Sequence, residues 1–381
     1  MATARQAASG RNRREAHKMR AYDFPLDPMM LGRIELLLQR QDPITPSFIP
    51  RSNAEVYRAL TYRVEAAERS TKTVLLADRN LVTRWIGVVR GDALTPHHRT
   101  AAAVIVFAQC AAIEIEPNIA LYEAAARAGS AAANEELAAL RLADDLDSAA
   151  WASIACGETH AVHQLVQPAN SRSNESAVDF KVPLRRWRRN YVLALKAAEL
   201  QLHGGKSAVL MARLLRWMHD EFLIGGPAVA LAAHYFAPNA NRKGLLKGLY
   251  SDDRKRALDG VRNAAWDLTL VGEWLARVGG QEARNELTLL ASLDRHVHAI
   301  ARLVTNASPD AESNVTGSDG VFVQLWGYRD GAKLGRMLDD LRAGADDPSR
   351  QVHRPVDPQF IDRLIEEGEE RVRSWSGTRR A

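Results

Sequence analysis

Apolar positions in this chain recur mostly at three- and four-residue steps, and only a few short runs break that helical rhythm. Val56, Leu60, Val64 and Ala67 predict a helix over 53–70. The unbroken apolar run 74–77 is too short for a surface helix and predicts a buried strand. Helical spacing resumes over 81–90 through Val82, Trp85, Ile86 and Val89, and again over the Ala- and Val-rich 97–112. Residues 113–116 alternate apolar with acidic and end at Pro117, which predicts an edge strand. From Leu121 to about Arg256 the pattern is helical throughout, over 119–150, 151–166, 183–202, 207–223 and 227–236, with a polar break at 168–176. A long helix over 252–278, a strand over 287–293 and a helix over 296–304 follow. Polar loops at 306–320 and 344–357 flank a further expected strand at 321–326, and a charged helix over 358–374 ends the pattern.

The order strand–helix–strand–helix, then many helices, then helix–strand–helix predicts an α/β fold with a mainly parallel sheet. It divides the chain into a basic tail over 1–20, a first α/β part over 21–127 and a helical insertion over 128–257. A second α/β part follows over 258–305, then a helical C-terminal extension over 306–381. No internal repeat is present.

Composition changes this picture little. At 381 residues, 46% apolar and 25% charged, the chain has ample material for a packed core. The net charge of +5 is local: the first twenty residues carry six Arg/Lys against Glu15 alone, so the remainder is near neutral. A basic tail of this kind is weak support for nucleic-acid binding. That tail reads as disordered and lacks the apolar stretch of a signal peptide, and no run is long enough for a membrane span. Two cysteines, Cys110 and Cys156, make no disulfide framework, so the expectation is a cytoplasmic protein without a membrane partner.

Candidate chemistry lies in four acids. At about 100° per residue, Val261, Ala264, Ala265, Leu268, Val271, Leu275 and Val278 form one apolar stripe of the long helix, and Trp266, Leu270 and Trp274 form another. Arg262, Thr269 and Glu273 share a polar side, whereas Asp267 falls between the two apolar stripes. A carboxylate there needs a partner: a buried salt bridge or cap, or a metal ion. Asp78 and Asp294 each end an apolar strand just before a helix, so each is an N-cap or a ligand. At the ends of neighbouring parallel strands the two would converge on the crevice where open α/β sheets bind ligands. Glu123 shares a helix face with Ile119 and Ala126, with Glu114 and Glu116 as nearby rivals. Two carboxylates about 4 Å apart repel by about 4 kcal/mol at an effective dielectric near ~20, so such a cluster calls for protons or cations. Mg²⁺ or Mn²⁺, with hard oxygen ligands, suits it.

Four segments carry a family resemblance. Val74-Leu-Leu-Ala-Asp78-Arg-Asn80-Leu-Val resembles the opening strand of PIN-domain nucleases, and Leu121-Tyr-Glu123 the helix that supplies their Glu. Trp266-Asp267-Leu268 and Leu290-Ala-Ser-Leu-Asp294-Arg are similar to the helix Asp and the strand-end motif that complete the acidic set. The resemblance implies a PIN-like three-layer fold and Mg²⁺- or Mn²⁺-dependent hydrolysis of phosphodiester bonds, chiefly of RNA. Asp78, Glu123, Asp267 and Asp294 would be catalytic, with Asp78, Asp267 and Asp294 holding metal and Asn80 positioning substrate or ligands. A homo-oligomer or an inhibitory protein partner is a further expectation.

Other constellations are less specific. Cys156, His160 and His163 share one helical face at a spacing that can bind Zn²⁺. Gly204-Gly205-Lys206-Ser207 lacks the first glycine of a phosphate-binding loop and reads as a helix end followed by a helix start. Arg185, Arg186, Arg188 and Arg189 surround Trp187, either as a solvated face or as a grip on a phosphate backbone, with Trp187 as core or stacking platform. The contrasting expectation is a non-enzymatic helical scaffold or regulator whose acids are caps and salt bridges.

Overall fold

Four short strands form one sheet among the described residues: β1 (Ile44–Pro46), β2 (Lys72–Ala77), β3 (Glu114–Glu116) and β4 (Glu286–Ala291), in the spatial order β1-β4-β2-β3. The computed structural model describes residues 23–159, 177–180, 184–240, 242, 244–305, 318–344 and 357–377, and of 318–321 the backbone alone. β2 runs parallel to both β3 and β4, and β1 pairs antiparallel with β4. The sheet is therefore mixed, within a chain that is mostly helical.

The apolar runs of β2 and β4 follow from burial on both faces. Side chains alternate across a strand, so Leu76 and Leu290 enter one core while Leu75, Ala77, Leu289 and Ala291 enter another. The core holding Leu75 is closed by helices that include Pro28–Gln41, Arg79–Arg90, Pro96–Ala111, Ser130–Asp144 and Ser148–Ala155. The core holding Leu76 is closed by Arg185–His203, Ser207–Asp220, Gly226–Phe236, Arg254–Val278 and Arg295–Thr305, with Tyr328–Ala343 and Pro358–Arg373 packed around them. Helices thus cover both faces of a small sheet. No described helix is long and apolar enough to cross a membrane.

The expected strands at 74–77, 113–116 and 287–293 correspond to β2, β3 and β4, and β3 sits at an edge. Three expectations need correction, and one strand falls outside them. Residues 119–150 hold Asn118–Ala128 and Ser130–Asp144, parted at Gly129, before a third helix starts at Ser148. Residues 321–326 belong to a helix, Ser318–Trp326; Phe322 and Trp326, four apart, are buried together, and the Trp326 indole N–H donates to Ala233 O at 3.0 Å. The single helix over 53–70 is two, Asn53–Val56 and Ala59–Arg69, parted where Arg58 turns extended. β1, three residues ending in proline, carries no periodic signal and was not foreseen. The tail at 1–20 lies outside the described residues.

The long helix is started by Asp253, whose carboxylate accepts from the Lys255 and Arg256 N–H groups. Its polar side is only partly open to water. Thr269 is fully buried against Asn190, Glu273 pairs with Arg186, and Arg262 pairs with Glu369, so this side packs on Arg185–His203 and Pro358–Arg373. Gly260 permits a close approach on another side: a Cβ built there would lie 1.7 Å from the Lys247 carbonyl oxygen. Any side chain at 260 must push away the loop that carries Lys247. Gly260→Ala is therefore expected to cost about 1–3 kcal/mol or more in urea unfolding, whereas an unchanged midpoint would contradict this packing.

Candidate metal centre

Parallel pairing of β2 with β4 runs from Lys72↔Glu286 to Ala77↔Ala291, which brings the ends of both strands to one side of the sheet. The Asp78 N–H continues the ladder, donating to Ala291 O at 2.9 Å. Asp78 occupies the N-cap position of Arg79–Arg90, yet its carboxylate makes no capping hydrogen bond. Instead Oδ2 accepts from Asn80 Nδ2 at 2.6 Å and from the Ser292 hydroxyl at 2.5 Å. Asn80 Oδ1 in turn accepts from the Leu293 N–H at 2.9 Å, and Ser292 Oγ accepts from the Asp294 N–H at 2.9 Å. Asn80 and Ser292 thus tie the two strand ends together and fix Asp78. Asp294 divides its oxygens: Oδ1 accepts from the His296 N–H at 2.8 Å, starting Arg295–Thr305, and Oδ2 lies 3.7 Å from Lys247 Nζ.

Helices supply the other two acids. Glu123 is buried on Asn118–Ala128, where Arg127, one turn on, donates to Oε1 at 2.5 Å. Asp267 is half-buried on Arg254–Val278 and accepts from Asn263 Nδ2 at 3.3 Å. Arg127 also donates to Asn263 Oδ1 at 3.2 Å, which links these helices at the edge of the acidic group. The rivals of Glu123 face elsewhere: Glu114 pairs with Lys72 and Glu116 with Arg277. Arg79 pairs with Glu136 of Ser130–Asp144.

The four carboxyls act on one another. Burial pushes Asp78 up to about 6; the Ser292 hydrogen bond opposes this and the Asp294 charge adds to it. Burial likewise pushes Glu123 up to about 7, against the pull of Arg127 and with the push of Asp78. Asp267 stands well above the usual carboxylate range, first through burial and then through the charges of Asp78, Asp294 and Glu123. All four expected site residues therefore share one electrostatic environment. Lys247 and Arg127 are the cations that touch them among the described residues.

The donor chemistry, carboxylate oxygens with an amide and a hydroxyl, fits a hard divalent cation such as Mg²⁺ or Mn²⁺. Among the described residues no three His, Cys, Asp or Glu side chains stand close enough to hold one ion directly. An ion there would be held directly by at most two of these carboxylates and otherwise through water.

The remaining expected sites are dispersed. Arg186 and Arg188 are engaged in ion pairs with Glu273 and Asp362 between helices, and Arg185 is exposed. Cys156 Sγ lies 3.6 Å from Met30 Sδ; His160 and His163 lie outside the described residues. Residues 204–207 link two helices, as expected. Sequence reasoning missed Ser292, Asn263, Arg127 and Lys247. The four-residue steps Glu123–Arg127 and Asn263–Asp267 were visible signals; the place of Lys247 had none, because it depends on Gly260.

Raised carboxyl pKa values have a definite sign for stability. Between the ordinary value near ~4 and the folded values, the folded state binds more protons than the unfolded one, so stability falls as pH rises through this window. The window runs from about 4 to about 7 for Asp78 and Glu123. Metal-free Asp267→Asn is expected to melt above wild type at pH 8 and to differ less at pH 5. Mn²⁺ should stabilise wild type more at pH 8 than at pH 5, because protons compete for the same oxygens. Thermal unfolding at both pH values checks this; a variant destabilised at pH 8 would contradict it. Comparison with protein-family models, with curated proteins and with solved structures returned no match for this chain.

Proposed function

We propose that this chain is a metal-dependent nuclease that hydrolyses phosphodiester bonds, of RNA in the first instance. One observation supports the reading above the others: Asp78 and Asp294 follow two adjacent parallel strands, and Glu123 and Asp267 on two helices lie near enough for their charges to be felt there, each of Asp78, Glu123 and Asp267 being raised. Perturbed acids gathered in this way are a hallmark of functional sites. Asp78, Asp267 and Asp294 would share Mg²⁺ or Mn²⁺, one or two of them as direct ligands and the rest through water. Such an ion, when bound, polarises the phosphodiester and favours deprotonation of water.

The chain's own residues have distinct tasks. Asn80 and Ser292 keep Asp78 turned away from helix capping and toward the centre. Glu123, near 7, exchanges a proton readily at neutral pH and so suits acid–base work on the attacking or leaving oxygen. Lys247 stands where it can meet a phosphate oxygen beside Asp294.

The same lysine favours a second reading. An ammonium already placed against Asp294 is an internal counter-ion, as a purely structural carboxylate group in a helical scaffold or regulator would need. Cleavage of labelled single-stranded RNA with Mn²⁺ separates the two. Wild type should cleave, and Asp78→Asn or Asp294→Asn should reduce the rate by about 10²-fold or more with the fold retained. Absence of cleavage by wild type, or undiminished cleavage by both variants, would reject catalysis.

A further inference from the structure

A cleft of about 660 Å³ opens between Asn118–Ala128, the loop around Lys247, Arg185–His203 and Arg254–Val278; none of the four acids lines it, but residues that contact them do. Arg127, Lys247 and Asn263 belong to both places: each lines the cleft, Arg127 and Lys247 touch an acid of the cluster, and Asn263 donates to Asp267. The cleft is basic where the cluster is acidic. Arg127, Lys247, Arg256 and Arg262 line it against Asp259 alone among the acids. Arg262 is committed to Asp259 and Glu369, and Arg127 to Glu123. Arg256, exposed at the first turn of the long helix, has no ion pair among the described residues. One wall carries the part-exposed ring of Trp187, with the buried ring of Trp266 5.3 Å away.

We infer that this cleft is the subsite for the nucleotides that adjoin the scissile bond of a single polynucleotide strand, with backbone phosphate on Arg256 and Lys247 and the apolar part of the nucleotide against the tryptophan wall. The inference rests on the nuclease reading and deepens it. Three features carry it. The volume lies within the range of about 300–1,000 Å³ typical of ligand sites, enough for a nucleotide or two and too little for a paired helix. Cations beside an aromatic wall are the combination that single strands require, charge for the backbone and π surface for the bases. Continuity through Arg127, Asn263 and Lys247 places a strand in the cleft with its next phosphodiester at the acids. The Arg185–Arg189 cluster contributes Trp187 to this wall, whereas Arg186 and Arg188 are held by Glu273 and Asp362 and do not line it.

The test uses the full chain and a fluorescent single-stranded oligouridylate, with binding followed by anisotropy in Ca²⁺ and cleavage followed separately in Mn²⁺. Arg256→Ala should weaken binding about tenfold and lower the slope of log affinity against log salt by about 1. Arg256→Lys should keep most of both, and Mn²⁺ affinity should be unchanged in either variant. Arg216→Ala, which removes an exposed charge from Ser207–Asp220, should leave affinity and slope in place. Wild-type affinity and slope in Arg256→Ala would overturn the cleft while leaving catalysis standing. Inorganic phosphate or a mononucleotide that competes as well as the oligonucleotide would overturn it too, in favour of a small-anion site. Cleft-dependent binding without any cleavage would keep the cleft as a single-strand site but remove the nuclease reading, and with it the cleft's place beside a scissile bond.

Discussion

The parallel pairing of β2 with β4 is the contact on which the rest of the structure depends. Residues more than two hundred positions apart in sequence meet in six register pairs, and the two apolar strands divide the helices into two cores. The same pairing sets Asp78 beside Ser292 and Asp294. A shift by one residue would turn every side chain of one strand to the opposite face. Core and site therefore stand or fall with a single register, and the network of Asn80, Ser292 and the Leu293 N–H reinforces it at its end.

That arrangement works against stability locally. Folding buries Asp78 and Glu123, half-buries Asp267 and sets them against one another, which raises all three above ordinary carboxylates. A chain selected for stability alone would place amides or apolar groups here, since unpaired buried charge is costly. Extensive packing elsewhere absorbs the strain: fully buried Trp85 and Trp274 donate their N–H groups to Ala101 O and Thr288 O, and Asn190 satisfies buried Thr269. Lys247, held close by the bare surface of Gly260, offsets part of the negative charge and faces the neighbouring cleft.

Much of this was legible in the residues because two periodicities differ so clearly. Four apolar residues in a row at 74–77 cannot lie on a surface helix, and Asp267 sits between two apolar stripes of a 3.6-residue repeat. These signals located β2, β4 and three of the acids. What escaped was tertiary in origin. The helix Ser318–Trp326 read as a strand because a short apolar run carries too few turns to reveal its period. β1 exists only because β4 offers it an edge. Arg262, Thr269 and Glu273 showed only as a shared polar side, and the pattern did not tell that this side meets two other helices. Lys247 reaches the acids through a missing side chain thirteen positions later, a relation that no local pattern encodes.

The central claim is that these acids gather around a divalent cation. Crystals grown with Mn²⁺ and measured at the manganese absorption edge test it most directly, since anomalous scattering places the ion without reference to activity. The account predicts a strong peak between Asp78, Asp267 and Asp294, bound through one or two of their carboxylates with water completing the shell. Anomalous density absent from that space at millimolar Mn²⁺, with Lys247 seated among the carboxylates in its stead, would contradict it.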